Sequence, residues 1–339
     1  MSYRSKFHSK THNMKTVIMS WNEKEAGTNW QGLSMNLWYG ILEYLGYEVY
    51  YYDYAHYNAE DFYKQCKEVN ASYVFQAAYS NIHTEFIRLR QFAKVFLLHA
   101  DINYRYDIWT KFFVPYIDGL ISFDEGDSAF GVKEKVVNDG MLPDNFVKMK
   151  WAFNPSTMTN ESYDYNKKDV MISFVGNLHA DRVQRLQEFA SNGLPVFRPE
   201  WKDTTYELAK NMWARSKYSL CFTMNAPLTK RVIPARILEM APHCVLMSEA
   251  CPGLERYFKK DVEFIEFTDV KGGIDKIKSI GETEYTQIFN NCRRKIWSEL
   301  TALHEWNRIL PQIDPDYKPK SSDEIKDTLK TYWGKYYYE

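Results

Sequence analysis

Short apolar runs alternate with helix-period segments along most of this chain, and the alternation starts, pauses and starts again. That pattern belongs to parallel sheets covered by helices, because a parallel strand pair needs a long crossover, usually helical. The first series predicts strands at Met14–Ser20, Glu48–Tyr52, Ser72–Ala77, Lys94–His99, Gly119–Phe123 and Phe146–Phe153. After the first strand, a loop with Gly27 and Gly32 leads into a helical stripe of Leu33, Leu37, Trp38, Ile41, Leu42 and Leu45, which stops at Gly46. Asn154, Pro155 and the polar stretch 156–168 read as a linker. The second series predicts strands at Val170–Val175, Leu194–Arg198, Tyr218–Thr223, Cys244–Ser248 and Val262–Phe267. Helices are expected at Asp181–Ala190, Thr205–Ser216 and Pro234–Met240.

The length, 339 residues, suits two α/β domains of about 150 residues each. The expected division is 1–155 for the first Rossmann-like domain and 156–320 for the second. After a Pro-rich break at Pro311–Pro319, Ser321 and Glu324 have capping-box spacing, and Ile325, Leu329, Tyr332 and Trp333 form one apolar face. A final helix over 321–339 that crosses back to the first domain would give the two-domain layout of the glycosyltransferases called GT-B. Packing within the second domain is the other reading of that helix.

The net charge of −1 provides no whole-molecule field for a polyanion, so nucleic acid would need a local basic patch. The N-terminal arm, with Arg4, Lys6, His8, Lys10, His12 and Lys15, is one candidate, and a solvated tail is its plainer reading. Aromatic residues make up 17% of the chain, enough for core and inter-domain packing and for a groove that stacks sugars or bases. Cys66, Cys221, Cys244, Cys251 and Cys292 are odd in number and lack metal-ligand spacing, which predicts reduced thiols, no metal site and a cytoplasmic protein. No apolar run approaches the roughly 18 residues of a membrane span, and the N-terminus is not that of a signal peptide. A monomer is expected.

Arg236 and Glu239 carry the strongest chemical signal. Their spacing sets both on one face near the start of a helix whose first turn suits Pro234. An arginine there is suited to a diphosphate, and the glutamate to ribose hydroxyls. An intrahelical salt bridge is the structural alternative. Gly176 and Asn177 follow the first strand of the second series, and Arg182 and Arg185 lie on the next helix. Glycine at a strand's carboxyl end lets a ligand approach the backbone, and Asn177, His179 or Arg182 could contact the same anion. Arg198 and Arg231 are further candidates. In the first domain, Asp101 follows a strand that faces the ligand crevice and is placed to act as a base toward an acceptor hydroxyl. A helix cap or turn is its structural reading. His99 lies two residues earlier, and Asp107, Asp124 and Glu125 are lesser candidates.

Three of these segments resemble the DNA β-glucosyltransferases of T-even bacteriophages. Lys94–Asn103 (KVFLLHADIN) is similar to a strand ending in Thr-Asp-Ile-Arg, whose aspartate is the proposed base and matches Asp101. Ile172–Phe189 resembles the family's Gly-Ser loop and following arginines, which hold the UDP diphosphate; Gly176, Asn177 and Arg182 match. Val232–Met247 is similar to Leu-Arg-Val-Trp-Glu-Thr-Met-Ala, in which arginine binds phosphate and glutamate binds ribose, matching Arg236 and Glu239. Asn177 replaces the family's serine, and Ser34 falls where its first-loop acid would be.

The resemblance implies an inverting enzyme that moves a sugar, glucose or a pentose such as arabinose, from a UDP-sugar. The acceptor it implies is the hydroxymethyl group of modified cytosine in phage DNA, in a host cell's cytoplasm. The UDP-sugar is a co-substrate, and a loosely held Mg²⁺ on its diphosphate is compatible with arginine-based binding. A GT-B enzyme acting on polysaccharide, lipid or protein shares every donor-side feature. A non-enzymatic two-lobed binding protein is the alternative of a different class.

Overall fold

The computed structural model describes residues 3–4, 15–21, 40–53, 58–77, 86–99, 106–108, 110–123, 132–158, 165–178, 180–199, 205–224 and 231–338. In the first half the strands are β1 (Tyr3–Arg4), β2 (Thr16–Trp21), β3 (Glu48–Asp53), β4 (Tyr73–Ala77), β5 (Lys94–His99), β6 (Gly119–Ser122) and β7 (Phe146–Lys148). Helices α1 (Ala59–Glu68), α2 (Phe86–Leu89) and α3 (Val132–Asn138) lie between them. The second half holds β8 (Val170–Ser173), α4 (Ala180–Ser191), β9 (Val196–Phe197), α5 (Tyr206–Arg215), β10 (Ser216–Cys221), α6 (Arg236–Met240), β11 (Val245–Glu249) and β12 (Ile265–Phe267). It ends with α7 (Val270–Ser279), α8 (Glu282–Glu299), α9 (Ala302–Ile313) and α10 (Ser322–Trp333).

Seven strands form one sheet in the order β1-β3-β2-β4-β5-β6-β7, and five form another in the order β12-β11-β10-β8-β9. Every pairing is parallel except β1 with β3. The predicted two-unit α/β architecture is therefore present. Side-chain caps start several helices: Asn58 accepts from the Glu60 and Asp61 N–H groups, Thr205 from Leu208, and Asp269 from Gly272.

Some boundaries differ from the sequence expectation. The strand expected to reach Phe153 ends at Lys148, and Phe153 instead makes an isolated parallel bridge with Thr301. Of the expected 33–45 stripe, residues 33–39 lie outside the described set. Leu42–Leu45 is a single 3₁₀ turn closed by Gly46 in the left-handed region at φ 95°. Pro311 does not begin the break. It sits in the last turn of α9, where burial of Ile309, Leu310 and Ile313 outweighs the hydrogen bond that proline cannot make. Pro234 precedes α6 by two residues instead of opening it.

The C-terminal helices join the halves. Trp306 of α9 packs edge-on against Phe75 of β4, with ring centroids 5.4 Å apart. Tyr332 and Trp333 of α10 meet Tyr44 at 4.5 and 4.8 Å. Ser321 caps α10 with the predicted capping box. Thus the last helix does cross back to the first half, and α9 reaches it earlier still. Lys15 is not a free basic contact: its Nζ pairs with Asp314 at 2.5 Å and with Asp316 at 2.8 Å. The Tyr47 hydroxyl donates to Asp314 at 2.9 Å. Burial alone would raise the Asp314 carboxyl pKa, but these donors hold it below the ordinary value. The five cysteines are free and buried. Among the described residues, no helix is long and apolar enough to cross a membrane.

Candidate functional site

Strands β8, β10 and β11 lie side by side, so the segments leaving their carboxyl ends converge on one edge of the second sheet. In open parallel sheets, ligands bind at that edge. Three predicted residues meet there. The Arg236 guanidinium lies over Gly176, and its Nη1 donates to the Val175 carbonyl oxygen at 3.0 Å. A Cβ on residue 176 would collide with that nitrogen, so glycine is what admits the arginine. Arg182 is buried and clamps the surrounding loops, donating to the carbonyl oxygens of Asn177 at 2.9 Å and Met224 at 2.8 Å. Its Nη groups are thus committed to backbone, and its buried Nε has no hydrogen-bond partner. The Asn177 side of the loop is exposed.

Burial first, and then the neighbouring Arg236 charge, lowers the Arg182 pKa to about 10. Two guanidiniums that repel each other in a desolvated pocket are stabilised by an anion between or beside them. Glu239, one helical turn beyond Arg236, is buried, and its Oε2 has no hydrogen-bond partner. Burial pushes its pKa up to about 8, with Arg236 pulling the other way. A buried carboxyl group with an open oxygen can accept from a ligand hydroxyl.

The remaining predicted arginines divide. Arg185 pairs with buried Glu249 and packs over the Phe222 ring at 5.6 Å. Arg231 lies 3.7 Å from the other Glu249 oxygen and donates to Thr223 Oγ1 at 3.1 Å and to the Ala250 carbonyl oxygen at 2.9 Å. The Thr223 N–H also donates to Glu249, at 3.0 Å. Glu249 therefore ties together the ends of β10 and β11 and the start of α4. The sequence reading missed it by ending its strand at Ser248, although an acid at a strand's carboxyl end was the signal used for Asp101. Arg198 is exposed just past β9, and among the described residues no hydrogen bond or ion pair joins it to the others.

In the first half, His99 ends β5, is buried, and shares a 2.9 Å hydrogen bond between Nδ1 and Thr110 Oγ1. Asp101, Asp124, Glu125, His179 and Ser34 lie outside the described residues. Asp107 is an exposed partner of Lys135 at 2.7 Å, a surface ion pair. Among the described residues, no group of three or more His, Cys, Asp or Glu side chains could hold a metal ion.

No family model matches the chain, and comparison with curated proteins finds no match. Solved structures do resemble it. An α-glucosyltransferase in complex with UDP-glucose and DNA containing an abasic site superposes with a TM-score of 0.61 at 11% identity, over 88% of this chain and 99% of the other. Sucrose-phosphate synthase from Thermosynechococcus elongatus gives 0.59 at 11% identity, over 89% and 98%. A glycosyltransferase from Rickettsia africae gives 0.53 at 11% identity, over 94% and 100%. At such identities the likeness is one of fold. The chain has the GT-B fold, two Rossmann-like sheet domains facing across a cleft.

Proposed function

We propose that the protein is a UDP-sugar-dependent glycosyltransferase whose second half, 156–320, holds the donor. The first half, 1–155 with helix 321–339, would hold the acceptor. The observation that carries this reading is the Arg236 guanidinium seated on the Gly176 backbone beside Arg182, with the open carboxyl oxygen of Glu239 one turn away. Guanidinium and backbone suit a diphosphate, and the carboxyl suits a ribose diol. Gly176, Asn177, Arg182, Arg236 and Glu239 form the donor set. Arg185 and Arg231 support it through Glu249.

In the proposed reaction the acceptor oxygen attacks the anomeric carbon, Asp101 takes its proton, and the bond to the UDP oxygen breaks. The departing diphosphate gains negative charge, which Arg236 and the loop dipoles stabilise. Attack opposite the leaving group makes the transfer inverting.

Two acceptor classes are each favoured by a specific likeness. The segment around Asp101 resembles the phage enzymes, which supports hydroxymethylated cytosine in DNA, and one structural neighbour is an α-glucosyltransferase solved with DNA containing an abasic site, which supports DNA as acceptor in general. A non-DNA hydroxyl, on a glycan, lipid or protein, is supported by the wider set of neighbours, sucrose-phosphate synthase among them. The test is incubation with a panel of UDP-sugars and either hydroxymethylcytosine-containing or plain DNA, followed by nucleoside mass analysis. A sugar adduct on the modified nucleoside supports the DNA acceptor. Absence of an adduct with every donor removes it, and absence of UDP binding by calorimetry removes the glycosyltransferase reading as a whole.

A further inference from the structure

Two neighbouring cavities, of about 310 and 160 Å³, share the Arg308 side chain and make one groove along the outer edge of β7. Lys133 of α3, Lys148 at the end of β7 and Arg308 of α9 line the larger. Lys150, Arg256 and Arg308 line the smaller, with Glu299, Glu305 and His304. Lys148 and Ser122 end two strands of the first sheet, and Arg256 follows β11 of the second. The groove is therefore lined by residues of both halves, beside the edge strand β7.

Its charge is unbalanced. Glu305 is taken up by Arg308 and by the Lys150 N–H, and Glu299 pairs with Lys295. Burial lowers the His304 pKa to about 4, so the imidazole is neutral at pH 7. Among the described residues, Lys133, Lys148 and Lys150 stand in no ion pair, and the first two are exposed. In a protein with a net charge of −1, Lys133, Lys148 and Lys150 thus line this groove without a paired carboxylate among the described residues.

We infer that this groove binds the phosphodiester backbone of a nucleic acid, with Lys133, Lys148 and Lys150 each facing a phosphate. The inference rests on the DNA branch of the proposed function and supplies what that branch needs, a local basic patch. Backbone contacts position a strand without reading its sequence. Plain and hydroxymethylated DNA should therefore bind the groove alike.

The experiment measures fluorescence anisotropy of a labelled plain DNA duplex across a salt series, for the wild type and for a Lys133→Glu/Lys148→Glu/Lys150→Glu variant. Wild type should bind at low salt. The variant should bind at least about tenfold more weakly, with a salt slope smaller by about 2 to 3. UDP affinity and thermal unfolding, measured on the same samples, should stay at wild-type values, because these side chains lie outside the donor set. A wild type that does not bind duplex, or a variant with unchanged affinity and slope, overturns the inference. Unchanged UDP binding in that case leaves the donor reading standing. If the triple variant unfolds, Lys148→Ala alone replaces it, with a slope change of about 1 expected and no change counting against the groove.

Discussion

Nη1 of Arg236 occupies the space into which a Cβ on Gly176 would project, while donating to the Val175 carbonyl oxygen at 3.0 Å. The two residues are 60 positions apart in the sequence. Gly176→Ala should push the guanidinium off this loop. A roughly tenfold loss of UDP affinity is expected, about 1.4 kcal/mol, along with some loss of stability, because residue 176 sits at a φ of 158° that L side chains rarely adopt. Isothermal calorimetry with UDP reads it, and an alanine variant that binds as tightly as wild type would detach Arg236 from the diphosphate.

Glu239 offers a pH signature. Its folded pKa of about 8 lies above the ordinary 4.5, so between those values the folded chain holds a proton that the unfolded chain has released. Stability linked to this group is therefore full below about pH 4.5 and declines as pH rises toward 8. Glu239→Gln, which mimics the protonated form, should remove that decline in urea titrations at pH 5.5 and 8. If ribose hydroxyls donate to the carboxylate, UDP binding at pH 7 should also release protons. Calorimetry in buffers of different ionisation enthalpy detects that release, and its persistence in the glutamine variant would count against Glu239.

Asp101→Ala should abolish sugar transfer while leaving UDP binding near normal, because the base acts only on the acceptor. Single-turnover assays and UDP titration on the same preparation separate the two. Wild-type rates would remove Asp101 from its role.

Glu249→Leu should destabilise the protein by about 2 kcal/mol. The Thr223 N–H would lose its buried acceptor, while Arg185 and Arg231, each about a third exposed, would recover some hydration. Urea denaturation measures the cost. A loss below a few tenths of a kcal/mol would mean the carboxylate does not organise this edge.

The sheets were legible because their strands are apolar runs with polar ends. Lys94–His99 has the bounds its sequence suggests, and the box at Ser321 and Glu324 forms as its spacing predicts. Arg236 and Glu239 stand three residues apart on one helix, as their spacing suggests. Glu249 was not legible, since Arg185 lies 64 positions away and pairing at that separation leaves no periodic trace. The commitment of Arg182 to two carbonyl oxygens depends on how loops meet, which spacing does not encode. Pro311 misled because a proline's local cost was weighed without the burial on α9 that exceeds it.

The bridge between Phe153 and Thr301 has a mechanical meaning. The chain leaves the first half beside Phe153 and returns to it beside Thr301. There the Phe153 N–H donates to the Leu300 carbonyl oxygen at 2.8 Å, and the Ala302 N–H to the Phe153 carbonyl oxygen at 2.7 Å. Outward and homeward crossings are thus laced together at one point. Sliding one crossing past the other would break both hydrogen bonds, so this point ties the register of the outward segment to that of the returning one.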